Sequence, residues 1–220
     1  ASEMLDDAWA CKLAGQPGGL ADLIARQLER QVGMTPGPIP ATGSANDTTA
    51  PLAAVEPPTR IPQTGAAGFV QQHRDAAAAA EAGSGIPAAF MVAQAAHETG
   101  WGRREIRHAD GSPSYNLFGI KAGSDWKGAT AEVTTTEYVD GRPQKTVARF
   151  RAYGSYAESF ADYARLISTS PRYRGVLAEA GSASGFAAGL QRAGYATDPQ
   201  YAEKLTRTIN TTLRLQRALA

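Results

Sequence analysis

The sequence predicts an α+β fold: a mostly helical lobe carrying a small β-hairpin lobe. Three observations predict it. Apolar residues recur at helical spacing both early and late in the chain. Between them lies one β-branched and aromatic run, residues 132–139. Asp140-Gly141 follows that run and Thr146-Val147-Ala148-Arg149-Phe150 answers it, which is a hairpin signal.

Taken in order, Met4, Leu5, Ala8 and Trp9 form one helical stripe, and Leu20, Leu23, Ile24 and Leu28 form another beyond a Gly15-Gln16-Pro17-Gly18-Gly19 break. Two such short stripes cannot bury themselves. Residues 33–68 hold seven of the 13 prolines and no aromatic side chain, and read as a linker. A helix is expected over 69–82, stopped by Gly83-Ser84-Gly85, and a second over 87–98, with Pro87 in its first turn and Gly100 and Gly102 at its end. Residues 108–128 are rich in turn formers around Leu117-Phe118-Gly119-Ile120. After the hairpin, helices are expected over 155–168, 173–180, 182–193 and 199–215.

The 220 residues, 43% hydrophobic and 20% charged, suffice for a sizeable core. Sixteen of 17 aromatics lie from Phe69 onward, so the working domain is expected over 69–220. Residues 1–68 carry a net charge of −3 and 69–220 a net charge of +4. That balance excludes a generic nucleic-acid binder, which needs a strong basic field. The single Cys11 excludes an internal disulfide framework and any multi-cysteine metal site. No apolar run reaches the ~20 residues needed to span a bilayer, so membrane insertion is not expected.

The chemistry centres on His97-Glu98-Thr99-Gly100-Trp101-Gly102. A zinc-protease helix needs a second His four residues after the first, and Trp101 stands there, so no metal and no cofactor is expected. On a helix, Met91, Ala95 and Glu98 share one face. A carboxyl ending an apolar stripe loses solvation in its charged form, so its pKa should rise. A protonated carboxyl at neutral pH is what a glycosidase uses to protonate a leaving oxygen. The bland alternative is a solvated or capping glutamate. Trp101 would offer a flat surface for a sugar ring.

Four segments then resemble glycoside hydrolase family 73: Ala93 to Gly102, Ser114 to Lys121, Phe150-Arg151-Ala152-Tyr153, and Ala193 to Pro199. The stretch Gly19 to Leu28 resembles the tail of the rod-binding part that precedes such a domain in flagellar peptidoglycan hydrolases. The resemblance implies a lysozyme-like fold, with the hairpin lobe and helical lobe forming a substrate cleft. It divides the chain into a rod-binding tail (1–32), the linker (33–68) and the hydrolase domain (69–220).

By resemblance the activity is an endo-β-N-acetylglucosaminidase acting on peptidoglycan glycan strands in the periplasm, with flagellar rod proteins bound through the rest of the N-terminal domain. Glu98 is then the general acid. Glu137 is the best match for a second carboxylate, with Glu132 on the opposite strand face and Asp125 in a loop as competitors. Tyr195 would orient the N-acetyl group or the attacking water, against the alternative of a core tyrosine with a satisfied hydroxyl. Asn116, Phe118 and Trp126, with Trp101, are the expected sugar-binding residues. Phe118 could equally be core. His97 reads as a packed histidine and Asp198 as a cap of the last helix. Two mechanisms stay open, inversion through a base and retention through the substrate's own N-acetyl oxygen. A lytic transglycosylase and a non-catalytic glycan-binding assembly factor are the rival readings.

Overall fold

Helix α1 (Gly65–Ser84) starts four residues earlier than expected, inside the stretch whose composition reads as linker. Alanine has high helix propensity, Gly68 N–H closes the first turn on the Thr64 carbonyl at 3.2 Å, and Phe69 and Val70 anchor that end in the core. The computed structural model describes residues 64–220; the expected rod-binding tail and the linker through residue 63 lie outside the described residues, as does Cys11.

Helix α2 (Ala88–Thr99) is followed by a long irregular segment and the hairpin β1 (Thr130–Val139) and β2 (Arg142–Arg151). Helices α3 (Tyr156–Thr169), α4 (Arg174–Ala178), α5 (Ala183–Arg192) and α6 (Tyr201–Leu219) complete the order, with a 3₁₀ turn at Pro171–Tyr173 before α4. Helix α3 opens on a variant of the capping box: the N-cap Ser155 hydroxyl accepts from Glu158 N–H at 3.2 Å, and Glu158 Oε2 accepts from the N–H of the preceding Gly154 at 2.8 Å. Helix α6 begins later than expected because Asp198 folds the preceding turn, its Oδ1 accepting from Gln200 N–H at 2.9 Å.

The hairpin runs from Thr130 opposite Arg151 to Val139 opposite Arg142, which makes β2 four residues longer toward the turn than expected. Asp140 and Gly141 both take positive φ (52° and 74°), the two-residue turn whose twist matches paired strands. Its base packs on a small cluster of Ile106, Ala131, Ala148, Phe150 and Ala152. Beyond that base, Gln144, Lys145 and Val147 are exposed. The main core is separate and lies among α1, α2, α3, α5 and α6. Among the described residues no helix is long and apolar enough to cross a membrane.

Candidate active site

Helix α2 is buried on every side from Ala89 to Ala96, as befits a central helix with no solvent face. Glu98 sits in its last turn, at the end of the Met91–Ala95 stripe. Among the described residues its carboxyl has no hydrogen-bond or ion-pair partner. Burial alone pushes its pKa up to about 8. The group therefore carries its proton at neutral pH.

The helix stops abruptly just after this acid. Gly100 takes φ 57° and Trp101 φ 60°, and both backbone N–H groups return to the Ala96 carbonyl. A Cβ on Gly100 would stand 2.7 Å from an Arg104 guanidinium nitrogen, so the arginine side chain would have to shift. The Thr99 hydroxyl accepts from Gly102 N–H at 2.9 Å, which locks the loop onto the helix end.

Facing Glu98 is the loop Asn116 to Ile120. Gly119 takes φ 65°, which favours glycine, and lies against the carboxyl, Glu98 Oε2 being 3.7 Å from where a Cβ would be, an ordinary contact distance. Asn116 was expected to bind sugar, and the structure corrects this. Its side chain is 2% exposed and Nδ2 donates to the Ile120 and Arg151 carbonyls at 2.9 Å each, while Oδ1 accepts from Phe118 and Ile120 N–H. Asn116 folds the loop. Phe118 is corrected too: its ring is fully buried, stacked on Tyr163 at 4.1 Å, and has no face to offer a sugar.

Tyr195 is a core side chain, 4% exposed, whose hydroxyl donates to the Phe118 carbonyl at 2.7 Å. The reading of Tyr195 as a group directed at substrate is thereby revised: the hydroxyl bonds the backbone one residue from Gly119. It holds the loop against Glu98 instead. His97 packs edge-on against Tyr201 at 5.3 Å, its pKa lowered by burial and by Lys204. Asp198 pairs with Lys204 at 2.6 Å in addition to its turn bond.

Trp126 is half-buried at the hairpin base. Its Nε1 donates to the Ala129 carbonyl at 2.8 Å, the Arg151 guanidinium lies 4.8 Å over its ring, and Tyr153 meets it edge-on. Arg151 pairs with Asp162 at 3.0 Å, both side chains about one-tenth exposed. Asp162 also accepts from the Tyr153 hydroxyl at 2.6 Å and from Arg165 at 2.8 Å. Sequence reasoning missed Asp162 entirely, since an acid inside an amphipathic helix carries no local sign of its partners. The backbone of Glu137 lies on β1 opposite Gln144, but its side chain lies outside the described residues. Glu132 is exposed and faces Arg149 at 3.9 Å. Trp101 turns toward α1, where with Phe69, His73 and Tyr156 it walls a pocket of about 400 Å³ whose lining does not include Glu98. Among the described residues no cluster of His, Cys, Asp or Glu could hold a metal ion.

Comparison with known proteins places this geometry in context. The family described as glucosaminidase, mannosyl-glycoprotein endo-β-N-acetylglucosaminidase, matches residues 74–214. Peptidoglycan hydrolase FlgJ of Escherichia coli (strain K12) is 53% identical over 126 residues, a match covering 57% of this chain and 40% of that protein. The FlgJ of Vibrio parahaemolyticus is 35% identical over 223 residues, covering 92% of this chain and 72% of that protein. The crystal structure of a peptidoglycan hydrolase from Sphingomonas sp. A1 superposes with a TM-score of 0.62 at 49% identity, covering 70% of this chain and 95% of that one.

Proposed function

Because the chain belongs to the glucosaminidase family, and to that of the peptidoglycan hydrolase FlgJ, we propose that it hydrolyses the β-1,4 bond after N-acetylglucosamine in peptidoglycan glycan strands. The observation that carries the reading is Glu98 at the end of an apolar helix, unpartnered among the described residues and with its pKa raised to about 8 by burial. The fold is lysozyme-like, mostly helical with one small antiparallel sheet, as in the solved FlgJ hydrolase domain it resembles.

Glu98 gives its proton to the glycosidic oxygen as the bond to the anomeric carbon breaks, and the departing strand leaves as a neutral alcohol. The carboxylate left behind is poorly solvated, so it readily takes a proton back. The oxocarbenium-like centre is met either by water, with Glu137 as base, or by the substrate's own N-acetyl oxygen. Tyr195 acts through the loop: by holding the Phe118 carbonyl it keeps Gly119 against the acid. Trp126 and Trp101, both half-buried aromatic rings, are the surfaces assigned to sugar stacking. The work of the enzyme is to open the cell wall for the flagellar rod, in the periplasm, with rod proteins as partners.

The test is Glu98→Gln on purified peptidoglycan. Glycan binding should persist and release of reducing ends should fall by at least about 10³-fold, because removing a general acid and a titrating proton removes the bond-breaking step. Substantial residual cleavage overturns the assignment of the acid. Products ending in a 1,6-anhydro sugar would make the protein a lytic transglycosylase, and wild-type protein that binds glycan without cutting it would make it an assembly factor.

A further inference from the structure

The pocket behind Trp101 has a chemistry that Glu98 does not use. Phe69 and Trp101 stand edge to face at 6.1 Å, Phe69 meets His73 at 4.5 Å, and His73 meets Tyr156 at 4.7 Å, so four linked rings share the wall with polar and glycine residues, Phe69 and His73 showing only their edges. Glu105 adds a carboxylate, held by the Tyr156 hydroxyl at 2.7 Å, and among the described residues it has no cationic partner. Arg107 lies close enough to influence Tyr156, but its guanidinium donates to the Gly111 carbonyl at 3.0 Å. His73 supplies no compensating charge. It is 2% exposed, burial lowers its pKa to about 4, and its Nδ1 has no hydrogen-bond partner.

An aromatic box with one unpaired carboxylate and a neutral imidazole attracts a compact cation. Another part of the lining has the reverse character. Thr64, Gly65 and Gly68 line it, and this is the start of α1, whose first turn has no side-chain cap and no acidic residue. Backbone N–H groups at a helix start favour an anion. Groups that favour a cation and groups that favour an anion therefore line one cavity of about 400 Å³.

We propose that this pocket binds a free amino-acid head group, its ammonium between Glu105 and the Trp101, Phe69 and Tyr156 rings and its carboxylate at the first turn of α1. Resting on the peptidoglycan reading above, the source is the side chain of a diamino acid in the peptide stem. The site lies on the same helix end as Glu98, three residues along the chain, so a stem anchored there helps fix which strand the acid meets. It is a specificity site and takes no part in bond breaking.

The test uses the full chain and a glycan-free stem tripeptide that ends in a diamino acid with both side-chain groups free, titrated by calorimetry. Binding should weaken at least tenfold when the side-chain amine is acetylated, when the side-chain carboxyl is amidated, or in Glu105→Gln. Glutamine still accepts from the Tyr156 hydroxyl, so that loss reads the charge rather than the fold. Glu98→Gln should bind the tripeptide like the wild type, which separates the two claims. Cleavage lost in Glu98→Gln with no tripeptide binding overturns the pocket alone. Tripeptide binding with cleavage intact in Glu98→Gln overturns the catalytic reading alone. Equal affinity for the acetylated peptide overturns the pocket, and a free diamino acid binding as well as the tripeptide overturns the stem as its source.

Discussion

Gly119 stands against Glu98 with no side chain between them, Oε2 being 3.7 Å from the place a β-carbon would take. At that point the acid is faced by main chain and not by a side chain, and burial raises its pKa to about 8. Only the protonated form can donate. Hydrolysis should be insensitive to this group below pH 7 and fall about tenfold per pH unit above pH 8. A pH profile of kcat/KM on soluble glycan checks it, and an alkaline limb centred near pH 5 would sink the assignment.

The same shift has a cost in stability. Between pH 4.5 and 8 the folded chain holds a proton that the unfolded chain releases, so this group's contribution falls as pH rises through that window. Glu98→Gln removes the titration. The variant should be more stable than the wild type by roughly 3 kcal/mol at pH 7, with the difference vanishing near pH 4. Urea unfolding at the two pH values measures it; equal stabilities at pH 7 would contradict the buried acid.

Tyr195→Phe keeps the ring in the core and strands the Phe118 carbonyl. The loss should be about 1–2 kcal/mol in stability. Activity should drop mainly in kcat, because the loop that backs the acid loosens while the sugar surfaces remain. A variant with wild-type kcat would remove Tyr195 from the machinery.

Asp162→Asn breaks an ion cluster in which Asp162 and Arg151 are nearly buried and Arg165 is exposed. Burial opposes ionisation of Asp162, yet hydrogen bonds from Tyr153 and Arg165 and the charge of Arg151 together hold its pKa below the usual carboxylate range. A depressed carboxylate stabilises the fold above its unfolded pKa, and the contribution disappears as pH falls through the folded value. The substitution should cost about 3 kcal/mol at pH 7, since Arg151 is left buried without its counter-ion, and progressively less below pH 4. Thermal unfolding across that range follows it, and a pH-independent difference would refute the ionic account.

Glu98 was legible in one dimension: a carboxyl closing an i, i+4, i+7 apolar stripe needs no tertiary information. The hairpin was legible for the same reason, since Asp140-Gly141 fixes its own turn. Asn116 and Phe118 were not, because an amide and an aromatic ring serve a glycan or a tight loop equally well, and only burial separates the two. The start of α1 was hidden by Gly65-Ala66-Ala67-Gly68, small residues shared by linkers and helices. Asp162 gave no sign at all. Its partners Tyr153 and Arg151 lie across the junction between β2 and α3, and only the folded backbone brings them together.

That junction decides how the domain comes apart. The hairpin has a small apolar cluster of its own, and an isolated two-stranded ribbon melts readily. But Asp162 belongs to a helix of the main core, Arg151 ends β2, and the Arg151 carbonyl is also bound by Asn116, which folds the loop that brings Gly119 to the acid. Fraying of the hairpin at its base would uncover a buried arginine and a buried carboxylate at once. The two lobes are coupled at that point into one cooperative unit, and the loop at the acid shares the protection against local opening that the helical core enjoys.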